Sequence, residues 1–274
     1  MTRRHSVPGV QPDRRQVDLL DVRTYPTTDL MAAAAAADAA QIIRSALADR
    51  GAANVMFATG NSQLAFLDKL AGEPVDWTHV VAFHMDEYVG IDATHPASFA
   101  HYICERVERR LQPEIVHYSH GDTADPDAEA ARYSGLLSSH PLDLVIAGIG
   151  ENGHLAFNDP PVADFDDPLA VKVVALEERS RLQQVGEGHF AAIDDVPRRA
   201  ITVTISGILG ARHVMVVVPE SRKAAAVQVA LDGPITTACP ASVLRRTPRA
   251  VLYLDADAAQ DWSSGTGAGG GGPT

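Results

Sequence analysis

The stretch LDLVIAGIGENGHLAFNDPP, residues 142–161, decides the fold. It begins as a short apolar run, which is typical of a strand buried on both faces of a parallel sheet. A glycine-rich loop follows at once and contains one histidine, His154, among acidic and amide side chains. Ligands of parallel α/β sheets bind beyond the carboxyl ends of the strands, so this loop is a candidate functional site.

The rest of the chain repeats the alternation of apolar runs and helical segments. Strands are predicted at ANVMFA (53–58), HVVAFHM (79–85), VKVVAL (171–176), HVMVVV (213–218) and AVLYLD (250–255). Helices are predicted at 30–50, with Thr28 or Asp29 as the cap, at 125–140, with Asp125 as the cap and Pro126 in the first turn, and at 221–231. This order predicts an α/β fold, in which helices cover both faces of a parallel sheet.

Neither a repeat nor a linker interrupts this pattern. We therefore expect one domain over residues 18–262. The proline-interrupted polar segment 1–17 and the glycine-rich tail 263–274 are expected to be disordered, because they have little apolar surface to bury.

Composition narrows the classes of partner. The formal net charge of -12 argues against non-specific binding to nucleic acid, which needs a basic surface. The sequence has no run of 18 or more consecutive apolar residues, so we expect no membrane-spanning helix. Two widely separated cysteines, Cys104 and Cys239, indicate no disulfide framework and favour a reducing, cytoplasmic location.

Three further strand ends carry polar groups. The first is the TGNS loop, whose backbone amides and hydroxyls suit a phosphate; it comprises Thr59, Gly60, Asn61 and Ser62. Its alternative interpretation is a simple strand-to-helix turn. The second is SRK, where Lys223 stands at the start of a helix; a cation there is mildly unfavourable unless an anion binds beside it. The alternative interpretation is a solvated basic pair, Arg222 and Lys223.

The third strand end is MDEY, which contains the adjacent acids Asp86 and Glu87. Adjacent side chains on a strand point to opposite faces, so we expect only one of them to reach a cleft. A carboxylate there can act as a general base, or it can cap a helix.

The histidine of the glycine-rich loop has carboxylates close to it in sequence. His154 exchanges a proton near neutral pH, and Glu151 and Asp159 are close enough along the chain to orient it. No second ligand lies at a metal-binding spacing, so a metal site is not expected. A solitary histidine is often structural, but the cluster of polar groups after a core strand favours acid–base chemistry.

Together these stretches resemble the glucosamine-6-phosphate deaminase family, the amino-sugar-6-phosphate isomerases. The resemblance runs from about Leu30 to Ala258 and is carried by ATGNS, FHMDEYVG, HPASFAHY, GIGENGHLAFNDP, VPRRAITVTISGIL and SRKAAAVQVALDG. It implies a Rossmann-like three-layer α/β/α fold with a mostly parallel central sheet. It also implies a cofactor-free and metal-free aldose–ketose isomerisation, in which the 2-amino group leaves as ammonia.

The resemblance also assigns roles to individual residues. Asp86 matches the proton shuttle between C2 and C1, and His154 matches the group that opens the sugar ring. The TGNS loop and Lys223 match phosphate ligands, and Glu87 and Gly153 belong to the same substrate site. Arg181 is the candidate for an arginine that the family uses upstream of VPRRAI.

Two residues of the loop depart from the family pattern. Asn152 replaces an aspartate, and Asp159 replaces a glutamate, which withdraws its carboxylate by roughly 1.5 Å. We expect the side-chain oxygen of Asn152 to orient His154 without charging it, and Glu151 is a candidate for the missing acid.

The resemblance predicts conversion of glucosamine 6-phosphate, with a phosphorylated amino sugar as the partner. Three alternatives stay open: galactosamine-6-phosphate isomerase, 6-phosphogluconolactonase, and a non-catalytic phosphosugar-sensing module, which Asn152 motivates. No membrane or nucleic-acid partner is expected, and the sequence leaves a homo-oligomer open.

Overall fold

The computed structural model describes the backbone of residues 11–264 and the side chains up to Trp262. The segments 1–10 and 265–274, which we expected to be disordered, lie outside the described residues.

The strands of the described chain form two sheets. In chain order they are β1 (Asp13–Val17), β2 (Leu20–Tyr25), β3 (Ala53–Phe57), β4 (Val80–His84), β5 (Asp86–Tyr88), β6 (Ile115–His117), β7 (Leu144–Ala147), β8 (Val171–Ala175), β9 (Arg199–Val203), β10 (His213–Val218) and β11 (Ala250–Asp255). The main sheet has the order β1-β2-β11-β10-β7-β3-β4-β6, and the small sheet has the order β5-β9-β8. All neighbours in the main sheet pair in parallel except β1 and β2.

Helices cover both faces of the main sheet. They are α1 (Thr28–Arg50), α2 (Leu64–Leu70), α3 (Phe99–Ile103), α4 (Arg109–Leu111), α5 (Pro126–Ser139), α6 (Glu178–Gly186), α7 (Ile205–Leu209), α8 (Ala224–Asp232) and α9 (Gln260–Ser264). Alternate residues of one strand belong to different cores: Leu144 and Ile146 pack with α1, whereas Val145 and Ala147 pack with α5 and α8. The predicted three-layer α/β/α fold is therefore confirmed.

The local signals that bound the helices act much as predicted. Asp125 caps α5, with its side chain accepting from Ala128 N, and Pro126 lies in the first turn. At α1 the cap is Thr27, one residue before the expected position. By length and composition alone α1 would also suit a membrane span. Its Met31, Ala35 and Ile43 are instead buried in the core, so α1 is a core helix of this domain.

The prediction that VKVVAL belongs to the parallel sheet is wrong. Residues 171–175 form β8, which pairs antiparallel with β9 in the small sheet. The run is only half-buried: Val171 and Val174 are buried, while Lys172 and Val173 are partly exposed. Such a pattern suits a sheet with one face toward water, and a β-branched composition does not distinguish the two cases.

The prediction of disorder up to residue 17 is also wrong for residues 13–17. This segment is β1, an edge strand that pairs antiparallel with β2 from Asp13↔Thr24 to Val17↔Leu20. Arg14 forms a two-pronged ion pair with Asp21 on the neighbouring strand. Tertiary pairing orders a polar segment that has too little apolar surface to fold by itself.

Candidate active site

A cavity opens beyond the carboxyl ends of β3, β7 and β10, where the small sheet meets the main sheet. Among the residues predicted from sequence, it brings together Thr59, Gly60, Ser62, Asp86, His154 and Lys223. The carboxyl edge of the main sheet, where the sequence predicted a ligand site, therefore holds a polar cavity.

Asp86 stands at the junction of the two sheets. The chain leaves the main sheet after His84, the last residue of β4, and Asp86 begins β5 in the small sheet. Its side chain is buried and lines the cavity. Burial, followed by the charge of Glu87, raises the pKa of Asp86 to about 8. A carboxylate of this basicity is suited to remove a proton from carbon near neutral pH.

Glu87 points away from this cavity, so its predicted place in the substrate site is not supported. Its carboxylate accepts from the backbone N–H groups of Phe99 and Ala100 and from the hydroxyl of Ser98, which together begin α3. Burial raises its pKa, and these hydrogen bonds oppose the increase. The pleat of β5 separates the two acids as expected: one faces the cavity and the other caps a helix.

His154 is held by a carboxylate, although by a different one than the family pattern suggested. Its Nδ1 lies 3.0 Å from Oδ1 of Asp159. Since an ionised carboxylate only accepts, Nδ1 carries the hydrogen, and in the neutral ring Nε2 is the acceptor. Burial opposes the ionisation of Asp159, but His154, Asn152 and Ser180 outweigh it and lower its pKa below the usual value. The shorter side chain of Asp159 therefore still reaches the ring.

The expected contact between Asn152 and the imidazole is wrong. The side-chain oxygen of Asn152 accepts from the backbone N–H of His154, and its amide group donates to Asp159 (2.9 Å) and Glu177 (2.8 Å). An amide is required here because it must donate to two carboxylates at once. Asn152 thus orients Asp159, the partner of His154. An aspartate at position 152 would face the negative charges of Asp159 and Glu177.

Glycine at position 150 makes room for the histidine. A Cβ built on Gly150 would lie 2.1 Å from Nε2 of His154, so any larger residue would displace the ring. Gly153 has a φ of +84° and packs against Cys239, outside the cavity. Glu151 turns outward into a separate surface depression beside Arg179 and Arg222, so its proposed share in orienting the ring is not supported.

Lys223 is a buried cation on the wall of the cavity. It lies in a 3₁₀ turn, Ser221–Lys223, which leads into α8, and its exposure is only 4%. Burial lowers its pKa, and the charge of Glu187 opposes that decrease. Within residues 11–264 no acceptor lies within hydrogen-bonding distance of its ammonium group. The ammonium nitrogen is not one of the fully buried atoms that lack a partner, so it faces the cavity, where an anion would give it a charge-assisted hydrogen bond.

The TGNS loop forms the neighbouring wall. Gly60 has a φ of +104°, and its carbonyl accepts from Tyr102 Oη at 3.0 Å. Ser62 lies in the short 3₁₀ turn before α2, and both it and Thr59 line the cavity. Asn61 is exposed and does not line it, so the loop contributes three of its four predicted residues.

Arg181 does not reach the cavity. Its guanidinium donates to the carbonyl groups of Ile193 (2.5 Å) and Val196 (3.0 Å), where it ties α6 to the segment that leads into β9. Its predicted role as a substrate ligand is therefore not supported.

Four polar residues on this wall were not predicted from the sequence. Gln183, Gln184, Glu187 and His189 line the cavity from α6 and the turn after it. Glu187 accepts from the amide of Gln183 at 2.8 Å, and His189 Nδ1 lies 2.9 Å from Gln184 Oε1. The i, i+4 spacing of Gln183 and Glu187 was the available signal, since it places both on one face of a helix.

The sequence matches a known protein family over most of its length. A family profile described as glucosamine-6-phosphate isomerases/6-phosphogluconolactonase matches residues 26–253. The chain belongs to this family.

Two glucosamine-6-phosphate deaminases are similar to this chain in sequence. The protein from Exiguobacterium sibiricum is 36% identical over 74% of this chain and 78% of its own length. The protein from Lactobacillus delbrueckii subsp. bulgaricus is 30% identical over 77% of this chain and 88% of its own.

Solved structures share the fold. A monomeric glucosamine-6-phosphate deaminase superposes with a TM-score of 0.79 at 27% identity, covering 88% of this chain and 99% of that one. A 6-phosphogluconolactonase from Shewanella baltica superposes with a TM-score of 0.72 at 19% identity, covering 88% of this chain and 98% of that one.

Proposed function

We propose that the protein converts glucosamine 6-phosphate and water into fructose 6-phosphate and ammonia. The observation that carries the proposal is one cavity that holds a basic carboxylate, Asp86, a carboxylate-bound imidazole, His154, and a cation on the cavity wall, Lys223. The relatives named glucosamine-6-phosphate deaminase, at 30–36% identity, support the choice of substrate.

In the first step the sugar ring opens. Nε2 of His154 takes the proton of the anomeric hydroxyl and delivers it to the ring oxygen, while the bond between C1 and that oxygen breaks and an aldehyde forms. Because Asp159 holds Nδ1, the ring presents its acceptor nitrogen for this task.

In the second step Asp86 moves a proton between carbons. It takes the hydrogen of C2, the electron pair forms the C1=C2 bond, and the oxygen at C1 takes a proton from the 2-ammonium group. Asp86 then returns its proton to C1, and the nitrogen lone pair forms a C2=N bond. Water adds to C2 and passes one proton to the nitrogen; the C2–N bond then breaks as the ketone forms, ammonia leaves, and the remaining hydroxyl proton is released.

Lys223 and the Thr59–Ser62 loop are proposed to hold the phosphate. A phosphate oxygen would give the Lys223 ammonium its missing partner, and the loop would add hydroxyl groups. Binding at this remote group fixes C1 and C2 beside Asp86, where the chemistry occurs.

The test is an ammonia-release assay with glucosamine 6-phosphate and galactosamine 6-phosphate, run beside a 6-phosphogluconolactone hydrolysis assay. We expect ammonia from glucosamine 6-phosphate, and we expect Asp86→Asn to reduce kcat by about 10²–10⁴ while direct binding of the sugar phosphate persists. Turnover of Asp86→Asn within threefold of wild type would refute the role of Asp86. Lactone hydrolysis without ammonia release would establish the alternative, a 6-phosphogluconolactonase.

The structure weakens the case for a non-catalytic phosphosugar sensor. That alternative rested on Asn152, which supports the carboxylate of Asp159 instead of replacing a lost acid. We retain the cytoplasmic location as part of the proposal, since Cys104 and Cys239 are both free thiols. A homo-oligomer stays a prediction.

A further inference from the structure

The backbone is strained immediately before the turn that carries Lys223. Glu220 has φ +80° and ψ 140°, a conformation that residues with a side chain rarely adopt. Such a conformation persists only where the surrounding structure imposes it, and it is found disproportionately at functional sites. The neighbour that imposes it should therefore be identifiable.

That neighbour is Asp255, the last residue of β11. The backbone N–H of Glu220 donates to both carboxylate oxygens of Asp255, at 3.2 Å each. The same carboxylate accepts from Ala258 N (2.8 Å) and from the hydroxyl of Thr28 (2.6 Å). Asp255 is only 2% exposed, and no cation pairs with it in the part of the chain that the structure describes. Its charge is thus satisfied by neutral donors, one of which is the strained residue.

The strained residue fixes the position of Lys223. Lys223 N donates to the carbonyl of Glu220 at 3.1 Å, which closes the 3₁₀ turn, and the Lys223 side chain then enters the cavity. If the N–H of Glu220 were released, the turn would relax toward ordinary dihedral angles and carry the ammonium with it.

We infer that Asp255 is a positioning residue for substrate binding: it holds Glu220 in its strained conformation so that Lys223 faces the phosphate of the sugar. The inference rests on the proposed function only in naming that phosphate as the ligand of Lys223. Asp255 itself does not line the cavity.

The test combines Asp255→Asn with a glycine at position 220. Asparagine cannot accept from all three donors, so we expect Asp255→Asn to raise KM for glucosamine 6-phosphate about tenfold, with kcat within about threefold. Glycine adopts the Glu220 conformation without strain, so Asp255→Asn combined with Glu220→Gly should return KM to within about threefold of wild type. Asp255→Ser replaces Asp255→Asn if the latter does not fold.

A double-mutant cycle separates positioning from a general effect on folding. In a Lys223→Ala background, Asp255→Asn should raise KM by less than about twofold, because the side chain that it positions is gone. The matched control is Thr28→Ala, which removes another donor to the same carboxylate; it should lower Tm and leave KM unchanged. A full tenfold effect in the Lys223→Ala background, or no rescue by Glu220→Gly, would overturn the inference.

A binding assay keeps this inference distinct from the proposed function. Calorimetry with a hexitol 6-phosphate, which has no carbonyl group and does not react, should show the same losses and the same rescue as KM. If wild type releases no ammonia but the coupling between positions 255 and 223 appears in hexitol 6-phosphate binding, the inference stands and the proposed function fails. If wild type does not bind the hexitol 6-phosphate, the inference fails.

Discussion

Replacement of Glu87 by glutamine should move the pH dependence of the reaction without touching the substrate. The pKa of Asp86 is raised to about 8 by burial and by the charge of Glu87 on the opposite face of β5. The base acts only when it is ionised, so kcat/KM should increase as the pH rises through about 8. At pH 7 roughly one molecule in ten then carries the ionised base.

The magnitude follows from the interaction of two like charges. At an effective dielectric constant of about 20, two carboxylates several ångströms apart repel each other by about 2 kcal/mol. That energy corresponds to roughly 1–2 pKa units. Removing the charge of Glu87 lowers the pKa of Asp86, so the rise in kcat/KM of Glu87→Gln should occur about 1–2 pH units below that of wild type.

The assay is a pair of pH profiles of kcat/KM for ammonia release. Ionisations of the substrate are common to both proteins and cancel in the comparison. Ser98→Ala is the matched control, because it removes one donor to the Glu87 carboxylate but keeps the charge. It should lower Tm and leave the profile in place. Superimposable profiles for wild type and Glu87→Gln, or a shift to higher pH, would refute the electrostatic coupling of the two acids.

Three further substitutions test the proposed phosphate site at Lys223 and the loop that holds His154. Lys223→Ala should raise KM for the sugar phosphate at least about tenfold, with kcat within about threefold, since it removes a charge-assisted bond to a non-reacting group; an unchanged KM would place the phosphate elsewhere. Gly150→Ala puts a Cβ 2.1 Å from Nε2 of His154, so kcat should decrease by about 10² or more while calorimetric binding of a hexitol 6-phosphate persists. Asn152→Asp places a new carboxyl beside Asp159. The negative charge of Asp159 raises the folded-state pKa of the new carboxyl above its unfolded value of about 4. Its Tm should therefore match that of Asn152→Ala near pH 4 and fall below it as the pH rises toward the raised pKa, and a constant difference in Tm from pH 4 to 8 would contradict this.

The sequence was informative where one physical cause dominates. Continuous apolar runs such as LDLVIA predict buried parallel strands, and the carboxyl ends of those strands predict the cavity. The prediction that only one of Asp86 and Glu87 faces the cleft needed only the pleat of a strand. These inferences use neighbours along the chain and therefore hold without tertiary structure.

The inferences that failed depended on contacts between distant segments. Arg181 and Asn152 each carry groups that suit a ligand or a histidine, and folding directs both to other partners: Arg181 to backbone carbonyls and Asn152 to two carboxylates. Nothing local in the sequence shows which acceptor a long or bidentate side chain will meet. The spacing of Gln183 and Glu187 placed them on one side of α6 and its C-terminal turn, but which side of α6 meets the cavity is decided by packing between distant segments.

The step of the chain from β4 to β5 has a consequence for which sugars fit. The proposed base, Asp86, belongs to the small sheet, whereas Lys223 and the Thr59 loop follow strands of the main sheet. The spacing between the two sheets therefore sets the distance between the site proposed for the phosphate and the base that takes the proton from carbon. If the phosphate binds at Lys223 as proposed, we expect an amino sugar phosphate shortened by one carbon to leave its C2 hydrogen out of reach of Asp86.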